Sequence, residues 1–179
     1  MNTRVSFWLA VAVPFTALIA PITVRGQSTP ATAIRVGTYD SRAIAVAWVS
    51  SNMHRQWLAQ LVAERDKAKA AGDEKKVQEI QARGGAEQAR VHEQGFSTAS
   101  VAGLMEKISQ EIPGVAKDAG VVLIVSKWEV VYKDPAIEYV DVTMPLVRKF
   151  STDSKVIGIA TELMKQPPIP LDQLPADRD

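Results

Sequence analysis

The sequence predicts an α+β fold in which a long antiparallel helical hairpin projects from a small β-sheet or barrel platform. Three observations lead there. Residues 40–120 read almost entirely as helix folded back on itself, a short strand pattern precedes them at Ile34–Tyr39, and strand clusters follow at Val121–Val125 and Val130–Tyr132. Strands so few and so short make no broad sheet for so much helix to lie on. The helices are therefore expected to pack on each other and to stand out from the strands.

Ile34 to Tyr39 alternates apolar and polar side chains with period two, as a half-buried strand does. Asp40 or Ser41 then caps a helix, because either side chain can accept from the free amides of a first turn. Ile44, Ala47 and Trp48 form its first apolar face, and Met53, Trp57, Leu58, Leu61 and Val62 continue as one stripe. Glu64, Asp66, Lys67 and Lys69 make the solvated face. An unbroken helix 41–71 would be roughly 45 Å long at ~1.5 Å per residue, so it needs an antiparallel partner, which 74–95 supplies. Gly72 can take the left-handed position that ends one helix, and Asp73 can cap the next, with Glu74 favourable in its first turn. Gly84-Gly85 is a second place for the reversal; 72–73 is preferred. Val77, Ile80 and Val91 carry a thinner stripe along the returning helix, and Gly95-Phe96-Ser97-Thr98 interrupts it.

Val101, Leu104, Met105, Ile108, Ile112 and Val115 resume a strong helical stripe, with a kink or restart expected at Pro113 and an end at Gly120. The hairpin so defined occupies about 41–118. Val121–Val125 is a continuous apolar run, read as a strand buried on both faces. Lys127-Trp128-Glu129 turns the chain into Val130–Tyr132, Asp134-Pro135 marks another turn, and Ile137–Val142 is a third short strand before a helix around Pro145–Phe150. Residues 151–179 read as a largely disordered extension, with one helical segment allowed at Val156–Met164.

Residues 1–26 have the form of a cleaved export signal. Arg4 gives a positive start, and Val5–Ala20 is an apolar run of about sixteen residues, short of the ~20 a spanning helix needs. Small residues place cleavage before Gln27, with Ala31-Thr32-Ala33 as a second candidate and 27–33 as a flexible leader. The chain has no cysteine, which excludes disulfides, thiolate metal sites and lipid attachment at a cysteine after the apolar run. Taking Arg4 and Arg25 from the 21 basic residues leaves 19 against 20 acidic ones, a net charge of −1 and no footprint for nucleic acid. An exported chain of one domain, residues 34–150, is expected in the periplasm.

The order of leader, strand, helical hairpin, short strands and terminal helix resembles the Skp/OmpH family of periplasmic chaperones. The likeness is carried by Ile34-Arg35-Val36-Gly37-Thr38-Tyr39-Asp40, by the run from Ala119-Gly120-Val121 through Ser126-Lys127-Trp128 to Val130-Val131-Tyr132, and by Tyr139-Val140-Asp141-Val142-Thr143. It implies a homotrimer whose strands share a small barrel, with helical arms around a cavity that holds unfolded outer-membrane proteins without ATP. On that reading Val36, Tyr39, Val121, Leu123, Val125, Val130, Tyr132, Val140 and Val142 join the subunits, closing strand edges at 34–39 and 137–142 that a monomer would leave open. Met53, Trp57, Leu61, Val77, Ile80, Val91 and Phe96 are the expected client contacts, among charges of both signs. The alternative is a non-enzymatic periplasmic scaffold or adaptor of the same fold with one folded partner.

No phosphate loop, metal-ligand spacing or paired-carboxylate arrangement stands out, so no catalytic residue, metal or cofactor is assigned. His54 and His92 either meet across the hairpin, with Glu93 near, or lie as separate surface residues. Asp40-Ser41-Arg42 reads as a helix cap rather than a nucleophile with a cation. Trp48 and Trp128 fit core or interface. Lys67, Lys69, Lys75 and Lys76 crowd the hairpin tip and offer a peripheral membrane contact, although Asp66, Asp73 and Glu74 also fit a plain solvated tip.

Overall fold

The alternating stretch at the start of the domain forms β1 (Arg35–Tyr39), and it is the middle strand of its sheet. The computed structural model describes residues 34–174; the expected signal and leader, 1–33, and the end of the expected tail, 175–179, lie outside the described residues. β2 (Leu123–Ser126) and β3 (Glu138–Asp141) flank β1, both parallel to it, in the order β2-β1-β3. Val36 thus sits between Leu123 and Tyr139, and Thr38 between Val125 and Asp141. The edges left open belong to β2 and β3, not to the expected 34–39.

The expected strand at Val130–Tyr132 does not form. β2 and β3 run in the same direction on either side of β1, and two parallel strands need a connection that carries the chain back along their length, commonly a dozen residues or more. Only residues 127–137 are available between β2 and β3, and 130–132 are used in the crossing. Val131 is fully exposed and Tyr132 is 73% exposed. Nor is 121–125 buried on both faces, since Val122 and Leu123 lie largely in water on an edge strand.

Asp40 caps α1 (Ser41–Val49), its carboxylate accepting the Arg42 N–H at 3.0 Å. The expected unbroken helix 41–71 is two helices. Ser50 and Ser51 divide them, and the Ser51 hydroxyl starts α2 (Asn52–Ala70) by accepting the His54 N–H at 3.1 Å. A serine able to satisfy a free amide lets a new helix begin in a new direction. Ala71–Asp73 reverses the chain, with Gly72 at φ 70°, and Asp73 caps α3 (Glu74–Phe96). Gly84 and Gly85 lie within α3. The returning stripe is also broken, into α4 (Ala102–Met105), a 3₁₀ turn Glu106–Ile108 and α5 (Ile112–Ala119). Pro113 occupies the first turn of α5, where its missing N–H costs nothing. Gly120, at φ 64°, ends it.

α6 (Thr143–Phe150) and α7 (Ser154–Leu163) complete the body. The extension at 151–179, expected to be largely disordered with a helical segment allowed at Val156–Met164, contains α7, which packs on α1 and buries Val156 and Ala160 in the main core. α1 is the centre of that core. Ala43, Ile44, Ala45, Ala47 and Trp48 are buried, enclosed by Val101, Leu104, Ile108, Leu146, Val147 and Phe150. One face of the sheet, with Tyr39, Ile124 and Val140, packs against it. The other face carries Val36, Val125, Tyr139 and the half-exposed Leu123, with the Lys133 ammonium 5.2 Å from the Tyr139 ring centre.

A buried ionic cluster fastens the strand ends to the body. Asp40 accepts from Arg42 Nη2 at 2.8 Å and lies 2.7 Å from Lys127 Nζ, while the Asp40 N–H donates to Thr143 Oγ1 at 2.9 Å. Arg42 also donates to the Gln166 carbonyl at 2.9 Å, and the Ile169 N–H reaches the Phe96 carbonyl. Burial raises the Asp40 pKa, but the bonds from Arg42 and Lys127 together outweigh it and hold the carboxyl below its ordinary value. The cap expected of Asp40 is present, with an ion cluster added to it.

Candidate functional site: an apolar groove at the root of the hairpin

The last turn of α1, the start of α2 and the second half of α3 meet around a groove. On α3 the lining residues are Gly84, Glu87, Gln88, Val91, His92 and Phe96, one face at helical spacing. Against them stand Val46 and Val49 from α1 and His54, Trp57 and Leu58 from α2. The result is two adjoining concavities of about 370 and 270 Å³ that share Val49, Gln88 and Val91. Phe96 is 50% exposed, Leu58 41% and Val49 40%, so the apolar lining is open to water. Val62, one turn beyond Leu58 on α2, is likewise exposed.

Several polar groups at the groove are bound to one another. Glu87 accepts the Trp48 indole N–H at 3.2 Å, is bonded by Arg90, and lies 3.9 Å from His54 Nε2. His54 Nδ1 is 3.1 Å from the Val49 carbonyl. The His54 ring stacks on Trp57 with centroids 5.9 Å apart, and His92 meets Phe96 edge-on at 4.7 Å. These contacts fix the walls and leave aliphatic and aromatic surface facing out. A groove of this make-up has room for apolar side chains and imposes no single shape or polar pattern on them.

Three of the seven expected client contacts, Trp57, Val91 and Phe96, come together here. Met53 packs on the main core instead. Leu61, Val77 and Ile80, also expected as client contacts, are buried. With Ala68 they form the seam between α2 and α3, and Ile80 is only 2% exposed. A stripe on a helix that has found an antiparallel partner is used up by that partner. Val46 and Val49 were missed, because they belong to a helix that reads as core. The exposure of Val49 follows from its place beside the Ser50 break.

Of the expected subunit-joining residues, Val121 and Val142 are buried within the chain, and Tyr39 and Val140 face the helices. Val36, Leu123 and Val125 lie on the outer sheet face; Val130 and Tyr132 belong to the crossing segment. His54 and His92 fall in the two different concavities, each beside an aromatic ring. Among the described residues no group of three or more histidine and acidic side chains is placed to hold a metal, and no helix is long and apolar enough to cross a membrane. Comparison of the chain with protein-family models, with curated proteins and with solved structures returned no match.

Proposed function

We propose that this chain is an exported, ATP-independent holdase of the Skp/OmpH type, whose copies join through the sheet and whose hairpin-root groove receives apolar segments of unfolded outer-membrane polypeptides in the periplasm. The observation that carries the reading is the groove: open apolar surface from Phe96 through Val49 to Leu58, with walls held by internal hydrogen bonds. A client without fixed structure needs many weak apolar contacts and no shaped polar pocket. The α2–α3 pair that carries much of the groove, nearly balanced between eight basic and seven acidic residues over 53–95, fits an arm that encloses such a client. Assembly as a trimer is supported by the sheet. Parallel sheets are covered on both faces in most proteins, and on the outer face here Leu123 is 53% exposed among the described residues.

The test follows light scattering while a denatured outer-membrane β-barrel protein is diluted from urea, together with the solution mass of the holdase itself. The expected result is suppression of aggregation at near-stoichiometric amounts by a trimer. Replacing Val49, Leu58 and Phe96 together by Ser should weaken suppression several-fold at unchanged helix content, because each side chain is 40% exposed or more. Equal suppression by the variant removes the groove from the mechanism. A protein that leaves aggregation unchanged while a single folded partner co-purifies with it is the scaffold of the alternative reading.

A further inference from the structure

We propose a second binding site, for phosphate groups, in the polar concavity where the start of α2 meets the end of α6. The hollow measures about 320 Å³, and its lining includes Arg55, Arg148, Lys149, Ser151, Thr152 and Asp153. Apart from Ser50 it shares no residue with the apolar groove.

Three cations converge on this hollow against one carboxylate. Arg55 donates only to neutral oxygens, the Ser50 carbonyl at 2.7 Å and the Asn52 side chain. Arg148 and Lys149 make no hydrogen bond or ion pair with any described residue. The single acid, Asp153, already accepts the Lys155 N–H at 2.8 Å as the cap of α7. Helix ends explain part of this charge, since Arg55 lies by the C-terminus of α1 and the other two by that of α6. Each C-terminus amounts to about half a negative charge, and the N-terminus of α7 returns about half a positive one. With Asp153 also counted, that leaves more than one positive charge gathered in the hollow.

The hydroxyls complete a site for a tetrahedral oxyanion. Ser151 Oγ accepts the Asp153 N–H at 3.3 Å, which leaves its proton to donate elsewhere. Guanidinium groups bind phosphate oxygens in pairs, and an ammonium adds a point charge beside them. The shared chemistry is a phosphate monoester or diester, carried either by a soluble ion or by a lipid headgroup.

The experiment titrates the purified protein with inorganic phosphate, read by amide shifts in isotope-labelled protein. In parallel it is mixed with vesicles of phosphatidylcholine alone or with added phosphatidylglycerol. Two double variants are compared, Arg148→Gln with Lys149→Gln at the site and Lys75→Gln with Lys76→Gln at the hairpin tip. The expected result is a saturable response confined to residues 50–55 and 148–154. Binding should weaken by about tenfold or more in the site variant, the size of a lost charge-assisted hydrogen bond, and by less than about twofold at the tip. A response to vesicles names lipid phosphate as the source, and a response to inorganic phosphate alone names the soluble ion. Absence of saturation in both arms, or equal loss in both variants, overturns the proposal. Holdase activity is expected to survive the site variant, so the two functions fail separately.

Discussion

α1 and α3 pack against each other, yet they are buried very differently. Seven of the nine residues of α1 are buried, against three of the twenty-three in α3. α1 is enclosed by helices that all follow it in the chain, chiefly α3, α6 and α7. α3 depends on α1 near its C-terminus and, further out, on the seam formed by Leu61, Ala68, Val77 and Ile80. Stability is therefore concentrated in the body, and the distal hairpin is the part expected to open first. The same thin packing leaves apolar groups available on the hairpin side of the groove.

The comparison breaks most severely at Asp40. Asp40→Ala leaves Arg42, 1% exposed, without its buried partner, and is expected to cost about 3–5 kcal/mol of global stability in chemical denaturation. The same group sets an acid dependence. Its folded pKa lies below the ordinary 3.8, so its contribution is complete above that value and is lost as pH falls through the lowered one. Body unfolding should show this acid step, and the Asp40→Ala protein should show a flatter one.

A matched pair of truncations sharpens the contrast. Ile44→Ala, at the centre of the main core, should cost about 3–4 kcal/mol and lower the whole unfolding transition. Ile80→Ala, nearly as buried, should accelerate hydrogen exchange in 61–84 while leaving the amides of α1 and β1 protected. Uniform acceleration across both regions would show one cooperative unit and dissolve the distinction.

Gly72→Ala is the mildest probe. No atom lies within 4 Å of an added Cβ, so the whole effect comes from the left-handed backbone, about 1–2 kcal/mol. It should appear in the exchange of residues 66–80 and hardly at all in the body.

What the sequence disclosed follows the range of the forces involved. The α2–α3 turn, the end of α5 at Gly120 and the strands at 35–39 and 138–141 rest on neighbours along the chain, and local signals found them. The break at Ser50-Ser51 also has a local signal, a serine three residues before the amide it caps, but the apolar stripe runs on across it. Choice of strand partners is not local. A run such as Val121–Val125 says that apolar area exists, without saying which edge of β1 it joins or that only part of it pairs. The candidate site was legible only in part, for a related reason. Periodicity marked Leu61, Val77 and Ile80 as a stripe, and only the partner helix determines that this stripe is seam. Trp57, Val91 and Phe96 were legible as apolar residues on the hairpin; Val49 became visible once the end of α1 was placed beside them.

The position of β1 also imposes an order of events during folding. Its neighbours lie far along the chain, for Val36 pairs with Leu123 and Tyr139, 87 and 103 residues later. The strand nearest the start of the domain is consequently the last to have both edges covered. α2 and α3, joined through Ala71–Asp73, can close long before that. Sheets built from such distant pairs close slowly, and a strand with two bare edges is open to pairing with other chains in the meantime. A newly made copy thus passes through a stage in which β1 stands with both edges bare, and a second copy at the same stage offers matching edges to it.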